Sequence, residues 1–192
     1  MNKPEDLLNV SETLYKEFHL LGFPEVRNSM INIHNDDNKT FVNYDYSDEM
    51  ERSVNHLTYN IHPLIEKQIK QIRSANDAFS ETVFEGDDLK AMKKFRKKIG
   101  EKDDPRIKKA KALYYYFYSI GTGSIGISTF KPINEEHLAL LKRFRNVFNL
   151  SYQRYTDISL AEAQARESQI QLALERVRAR TMARSEEQTS ET

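Results

Sequence analysis

The stretch ALYYYFYSIGTGSIGISTF, residues 112–130, decides the fold class. Its first nine residues carry five consecutive aromatic rings, Tyr114–Tyr118, and no charge. Apolar character does not alternate along them, which predicts a central strand covered on both faces. Gly121-Thr122-Gly123 then turns the chain, and residues 124–130 return as a partner strand. A hairpin makes its strands antiparallel neighbours, so the sheet it belongs to is expected to be antiparallel.

Outward toward the N-terminus the pattern repeats. In 26–47, β-branched and aromatic residues stand on both sides of Asn35-Asp36-Asp37-Asn38, a cluster that tolerates turn geometry. The prediction is a hairpin of 29–34 and 40–46. Residues 54–60 suit a further strand, ending before Pro63, which disfavours helical geometry at His62.

Helical periods fill the remainder. Leu7, Val10, Leu14, Phe18 and Leu21 recur at intervals of three or four, behind Pro4, Glu5 and Asp6 and ahead of Gly22 and Pro24. Residues 63–75 carry Leu64, Ile65, Ile69 and Ile72; residues 87–99, between Gly86 and Gly100, carry Leu89, Met92, Phe95 and Ile99. After Lys131-Pro132-Ile133, Asn134 is positioned as the N-cap of a helix spanning 134–184, with Glu135 and Glu136 in its first turn. The order implies an α+β domain: an antiparallel sheet flanked by helices, with a long C-terminal helix.

That last helix changes character. Leu141, Phe144, Phe148, Tyr152 and Tyr155 form a bulky stripe, expected to pack on the sheet, on the first helix or across a dimer interface. Farther on, Leu160, Ala163, Glu167, Ile170, Leu174, Val177, Thr181 and Arg184 follow the alternating three-four spacing of a coiled-coil seam. At about 1.5 Å per residue this run would span roughly 37 Å. The two stripes do not share a register, so a change of packing partner is expected near Asp157–Ser159.

Composition excludes several functions. Among 192 residues, 39% are hydrophobic and 30% charged, and the formal net charge is zero, against a globally electrostatic nucleic-acid or membrane binder. Cysteine is absent, which removes disulfides, thiolate metal sites, cysteine nucleophiles and thioether-linked chromophores. No apolar run approaches the roughly 20 residues of a membrane span, and the first residues lack a secretory pattern, so a cytoplasmic location is expected.

The stretch GSIGISTFKPINEEHLALLKRFRNVFNLSYQRYTD, residues 123–157, together with the element order, resembles a GAF-type sensor domain, related in plan to PAS domains. The following LAEAQARESQIQLALERVRARTMARS, residues 160–185, resembles the signalling linker after such domains in multidomain bacterial sensor proteins, particularly histidine kinases of the Bacteroidetes. The resemblance implies a GAF-like domain over 1–158 including the N-terminal helix, a coiled-coil signalling helix over 159–184 and a disordered tail over 185–192. It also implies a two-component signalling context, a homodimer through the terminal helices and an output domain outside this chain. In the GAF plan one sheet face packs the terminal helices and the other looks into a ligand cavity. The chain departs from the family in having no cysteine for a bilin and no cyclic-nucleotide signature of the NKFDE type. No cofactor is therefore expected, and a small-molecule ligand stays open.

Local motifs carry little chemistry. Gly121-Thr122-Gly123-Ser124-Ile125-Gly126 matches G-x-G-x-x-G, but the dinucleotide fingerprint needs a helix next, and a strand is predicted. His19, His34, His56, His62 and His137 show no metal-ligand spacing, and His137 lacks the residues of a phosphoacceptor box. The basic run from Lys90 to Lys111 is interleaved with Met92, Phe95 and Ile99, as a solvated amphipathic helix would be, and no nucleic-acid partner is expected. Within the aromatic run, Tyr114, Tyr116 and Tyr118 face one side of a strand, and Tyr115 and Phe117 the other. Either set can serve as core or line a pocket. No nucleophile, paired-carboxylate or ATP-binding motif occurs. The expectation is a non-catalytic sensory module that relays ligand or partner state through a dimeric helix whose candidate seam is Leu160, Ala163, Ile170, Leu174, Val177 and Thr181. The alternative is a ligand-free dimerisation or protein-interaction scaffold.

Overall fold

The hairpin at 112–130 is formed by β5 (Ala112–Ser119) and β6 (Gly123–Thr129) in a computed structural model that describes residues 4–190, with side chains from 5 to 182. The strands pair antiparallel, with Phe117 opposite Gly126 and Tyr116 opposite Ile127. Gly126 is required by close approach: a Cβ there would overlap the Tyr116 carbonyl and the Phe117 ring. A Cβ on Gly123 would likewise overlap the backbone carbonyl of Asn32. These two glycines are accounted for by strand packing, and no helix follows Gly126.

Around this hairpin stand α1 (Pro4–Leu20), β1 (Val26–Asn35), β2 (Thr40–Ser47), β3 (Glu51–Thr58), α2 (Pro63–Ile72), β4 (Phe79–Glu85), α3 (Gly86–Lys98), α4 (Pro105–Lys109) and α5 (Glu135–Ser190). One turn of 3-10 helix, Tyr59–Ile61, joins β3 to α2. The six strands form one sheet in the order β3-β2-β1-β6-β5-β4, antiparallel at every pairing. The β1–β2 hairpin keeps the expected register, with Asn35 opposite Thr40, and the Asn35 side chain accepts from Asn38 N–H at 3.1 Å within the turn.

Two elements are absent from the sequence expectations. β4 was hidden because its inward residues include Ser80 and Thr82, so the period of two is present in burial and missing in hydropathy. The five-residue α4 is fixed by Asp104, whose carboxylate accepts from Arg106 N–H at 3.0 Å, with Pro105 at the first helical position.

The sheet buries both faces. On one, Leu14, Tyr15 and Phe18 of α1, Ile31 of β1, Ile125 and Ile127 of β6, and Leu141 of α5 are buried. Phe18 meets the Phe144 ring at 5.5 Å between centroids. On the other face Met30, Ile72, Phe84, Leu89, Met92, Leu113, Tyr115 and Phe117 form a contiguous core under α2, α3 and α4. Burying each such side chain contributes about 1.5–3 kcal/mol before entropy is charged against it.

The chain divides into two compact units, 1–149 and 150–192. α5 opens as predicted, with Asn134 Oδ1 accepting from His137 N–H at 2.9 Å. It is helical through Ser190, including most of the segment read as a tail from 185; Glu191 and Thr192 lie outside the described residues. In the second unit the candidate seam is exposed: Leu160 by 59%, Ile170 by 46%, Leu174 by 47% and Val177 by 63%. Ala163 and Thr181 are exposed as well, and the Arg184 side chain lies outside the described ones. No described helix is long and apolar enough to cross a membrane.

Candidate functional site

Strand parity separates the aromatic run. Tyr116 lies on the α1 and α5 face, where its hydroxyl accepts from Ile133 N–H at 3.2 Å, two residues ahead of α5. Tyr114 and Tyr118 share that parity. Tyr115 and Phe117 lie on the opposite face, their rings nearly parallel at 6.5 Å, and there they line a cavity of about 70 Å³. Its roof is Ile65, Gln68 and Ile69 of α2 with Met92, Phe95 and Arg96 of α3; its floor is the sheet.

The floor is polar along one line. Asn32, Asn43 and Asn55 occupy directly opposed positions on β1, β2 and β3, and Ser124 of β6 faces Asn32. Their side chains form a ladder: Asn55 donates to Asn43 at 3.3 Å, Asn43 to Asn32 at 2.9 Å, and Asn32 to the Ser124 hydroxyl at 3.3 Å. Each such amide uses one of its two N–H hydrogens in the ladder. All three asparagines line the cavity.

Beside the ladder lies a buried charged cluster. A bulge between Val26 and Asn28 places Arg27, wholly buried, where it donates through Nε to Ser128 at 2.8 Å and stands 3.7 Å from Asp104. Asp45, also buried, accepts from Asn28 at 2.7 Å. Burial pushes its carboxyl up to about 6, against the pull of Arg27. Arg96 reaches inward from α3 to grip Glu101, at 2.7 Å from Nε and 3.1 Å from Nη2. Its Nη1 is buried without a protein partner among the described groups, as are Arg27 Nη2 and Gln68 Oε1. Buried donors and acceptors are rarely left so, because each unmade bond costs about 1–3 kcal/mol.

The sequence pattern missed this cluster. Arg96 and Arg106 belong to the basic run read as a solvated helix face, yet both turn toward acidic partners; Arg106 pairs with Glu49 at 2.6 Å and Asp104 at 3.0 Å. The signal was polar residues at inward strand positions, visible only once register is known.

Three of the five histidines have structural work. His62 Nδ1 accepts from Leu64 N–H at the start of α2, His19 Nε2 is 3.1 Å from the Val26 carbonyl, and His137 meets the Phe23 ring edge-on at 3.5 Å between centroids. His34 is held down to about 4 by burial and by Arg73. Among the described residues no group of acidic or histidine side chains could hold a metal ion.

Comparison with protein-family models, curated proteins and solved structures found no match to this chain.

Proposed function

We propose that the chain is a non-catalytic sensory module of GAF-like plan, which binds a small molecule in the cavity under α2 and α3 and relays the bound state through α5. The observation that carries this reading is the division of labour on β5. Tyr115 and Phe117 line the cavity, while the intervening Tyr116 holds the peptide before α5. Arg145 of α5 adds a second tie, donating to the Ser119 carbonyl at the end of β5 at 2.7 Å. A ligand that shifts β5 thereby acts on both attachments of α5, provided it binds the two arrangements with different affinity.

In this reading the exposed seam at Leu160, Ile170, Leu174 and Val177 pairs with a second copy and passes the change to an output domain outside this sequence, as in a bacterial two-component sensor. Its apolar exposure supports pairing. Native mass spectrometry of protein purified from its own host tests the proposal. The expected result is a dimer carrying a non-covalent small molecule. A ligand-free dimer would sink the sensory reading in favour of the scaffold alternative.

A further inference from the structure

The cavity's size, polarity and surroundings carry a statement about ligand class, which rests on the sensory reading above. A volume of about 70 Å³ is room for about two waters at about 30 Å³ each, so a ligand of about five or six non-hydrogen atoms enters only as the roof helices α2 and α3 give way around it. A nucleotide or tetrapyrrole is several times too large. The walls from Met92, Phe95, Ile65, Ile69, Tyr115 and Phe117 are apolar or aromatic, which suits a short hydrocarbon part.

The polar groups left over are specific. Arg96 is a cation whose Nε and Nη2 are engaged by Glu101 and whose Nη1 remains an unmatched donor. Gln68, nineteen-twentieths buried at 5% exposure, has an unmatched acceptor in Oε1. Arg96 and Glu101 also line a second, outer hollow of about 410 Å³ between α3 and α4. Its rim carries Lys93, Lys97, Lys102 and Lys108, against Asp103 and Asp104. The Arg96–Glu101 pair thus lines both a basic vestibule and the cavity, whose floor carries the asparagine ladder and Asp45. A basic rim concentrates anions, and a guanidinium with a free N–H is a preformed partner for a carboxylate oxygen.

We propose that the cavity binds a small organic carboxylate bearing one hydrogen-bond donor, reached through the vestibule, with its carboxylate on Arg96 Nη1 and its donor on Gln68 Oε1. Hydroxy acids and amino acids share this chemistry. Glu101 competes for the same guanidinium and so weakens the ligand's hold on it.

The test is calorimetric titration and thermal-shift measurement on the full chain. Probes are short monocarboxylates, 2-hydroxy acids and α-amino acids, each compared with its uncharged primary amide at equal ionic strength. The acids are expected to bind at least about tenfold tighter than their amides, a difference of about 1.4 kcal/mol. Preference for the hydroxy-acid or amino-acid arm then names the donor. Arg96→Met is expected to abolish the acid-over-amide preference. Should that variant fail to fold, Glu101→Gln supplies the second arm: releasing Arg96 should tighten acid binding several-fold, which loss of a merely structural ion pair would not do. Equal binding of acids and amides, or unchanged acid affinity in Glu101→Gln, overturns the carboxylate assignment. If a ligand of another class is then found on protein from the host, the sensory reading survives; if no ligand is found and no probe binds, both fall.

Discussion

The two faces of the sheet are built from alternate residues of the same strands, yet they spend those positions differently. Toward α1 and α5, β1 and β6 present Ile31, Ile125 and Ile127, and the helices answer with Leu14, Phe18 and Leu141, all buried. Toward α2 and α3, the same strands present Asn28, Asn32, Ser124 and Ser128, joined by Asp45 and Arg27. The first face gains hydrophobic burial at these positions, and its buried Ser11 and Ser29 hydroxyls donate to the Tyr44 and Ser11 carbonyls. The second keeps polar groups inside, where each must find a partner or lower stability. A face that accepts such a cost beside a cavity is organised for recognition, and a face covered mainly by hydrocarbon is organised for cohesion.

Four variants test this contrast. Phe18→Ala, on the cohesive face, should be the most damaging, costing about 3–5 kcal/mol in urea unfolding. A loss below about 1 kcal/mol would erase the distinction.

Asp45→Asn, on the polar face, should do the opposite at neutral pH. The Asp45 carboxyl is raised to about 6 in the folded chain, so the folded state holds a proton that the unfolded state releases from about pH 4 upward. Its contribution to stability therefore falls as pH climbs to about 6 and stays low above. The variant should gain up to about 3 kcal/mol at pH 7 and almost nothing at pH 4. His34, depressed to about 4, has the reverse slope: the unfolded state takes up the proton first as pH drops from about 6.5, so stability rises with pH across nearly the same interval. The two slopes oppose each other in the native chain, and Asp45→Asn should expose the rising one. Urea unfolding at three pH values between about 4 and 7 reads this directly.

Asn43→Ala should cost about 1–3 kcal/mol, because it strips a partner from both Asn32 and Asn55 and splits the ladder. Structural cost alone predicts equal loss with and without ligand, whereas a recognition role predicts weaker binding as well. The smallest effect on unfolding, within about 0.5 kcal/mol, is expected for Ile170→Ala with Leu174→Ala, whose side chains are exposed in the single chain. In the proposed dimer the same pair should abolish self-association by analytical ultracentrifugation. Persistence of the dimer would move the interface off this seam.

Much of the architecture was legible from local pattern. The hairpins, the helix starts and the Asn134 cap follow from rules acting over a few residues, since backbone geometry and turn chemistry are local. β4 was not legible, because Ser80 and Thr82 face inward without the hydropathy that marks an inward face. The polar site was less legible still. Asn32, Asn43, Asn55, Asp45 and Arg96 are spread over 65 positions and share no motif.

Local pattern sufficed for an α+β chain with an antiparallel sheet, a long capped terminal helix with two unlike stripes, and no cysteine chemistry. Strand parity even divided Tyr114, Tyr116 and Tyr118 from Tyr115 and Phe117. Which set meets the cavity, the inward turn of Arg27 and Arg96, and the alignment of three distant asparagines emerge only in the folded chain. The reason is physical: alternation along a strand is set by the backbone, whereas which strand lies next to which, and which helix roofs which face, is chosen by the burial of the whole chain at once.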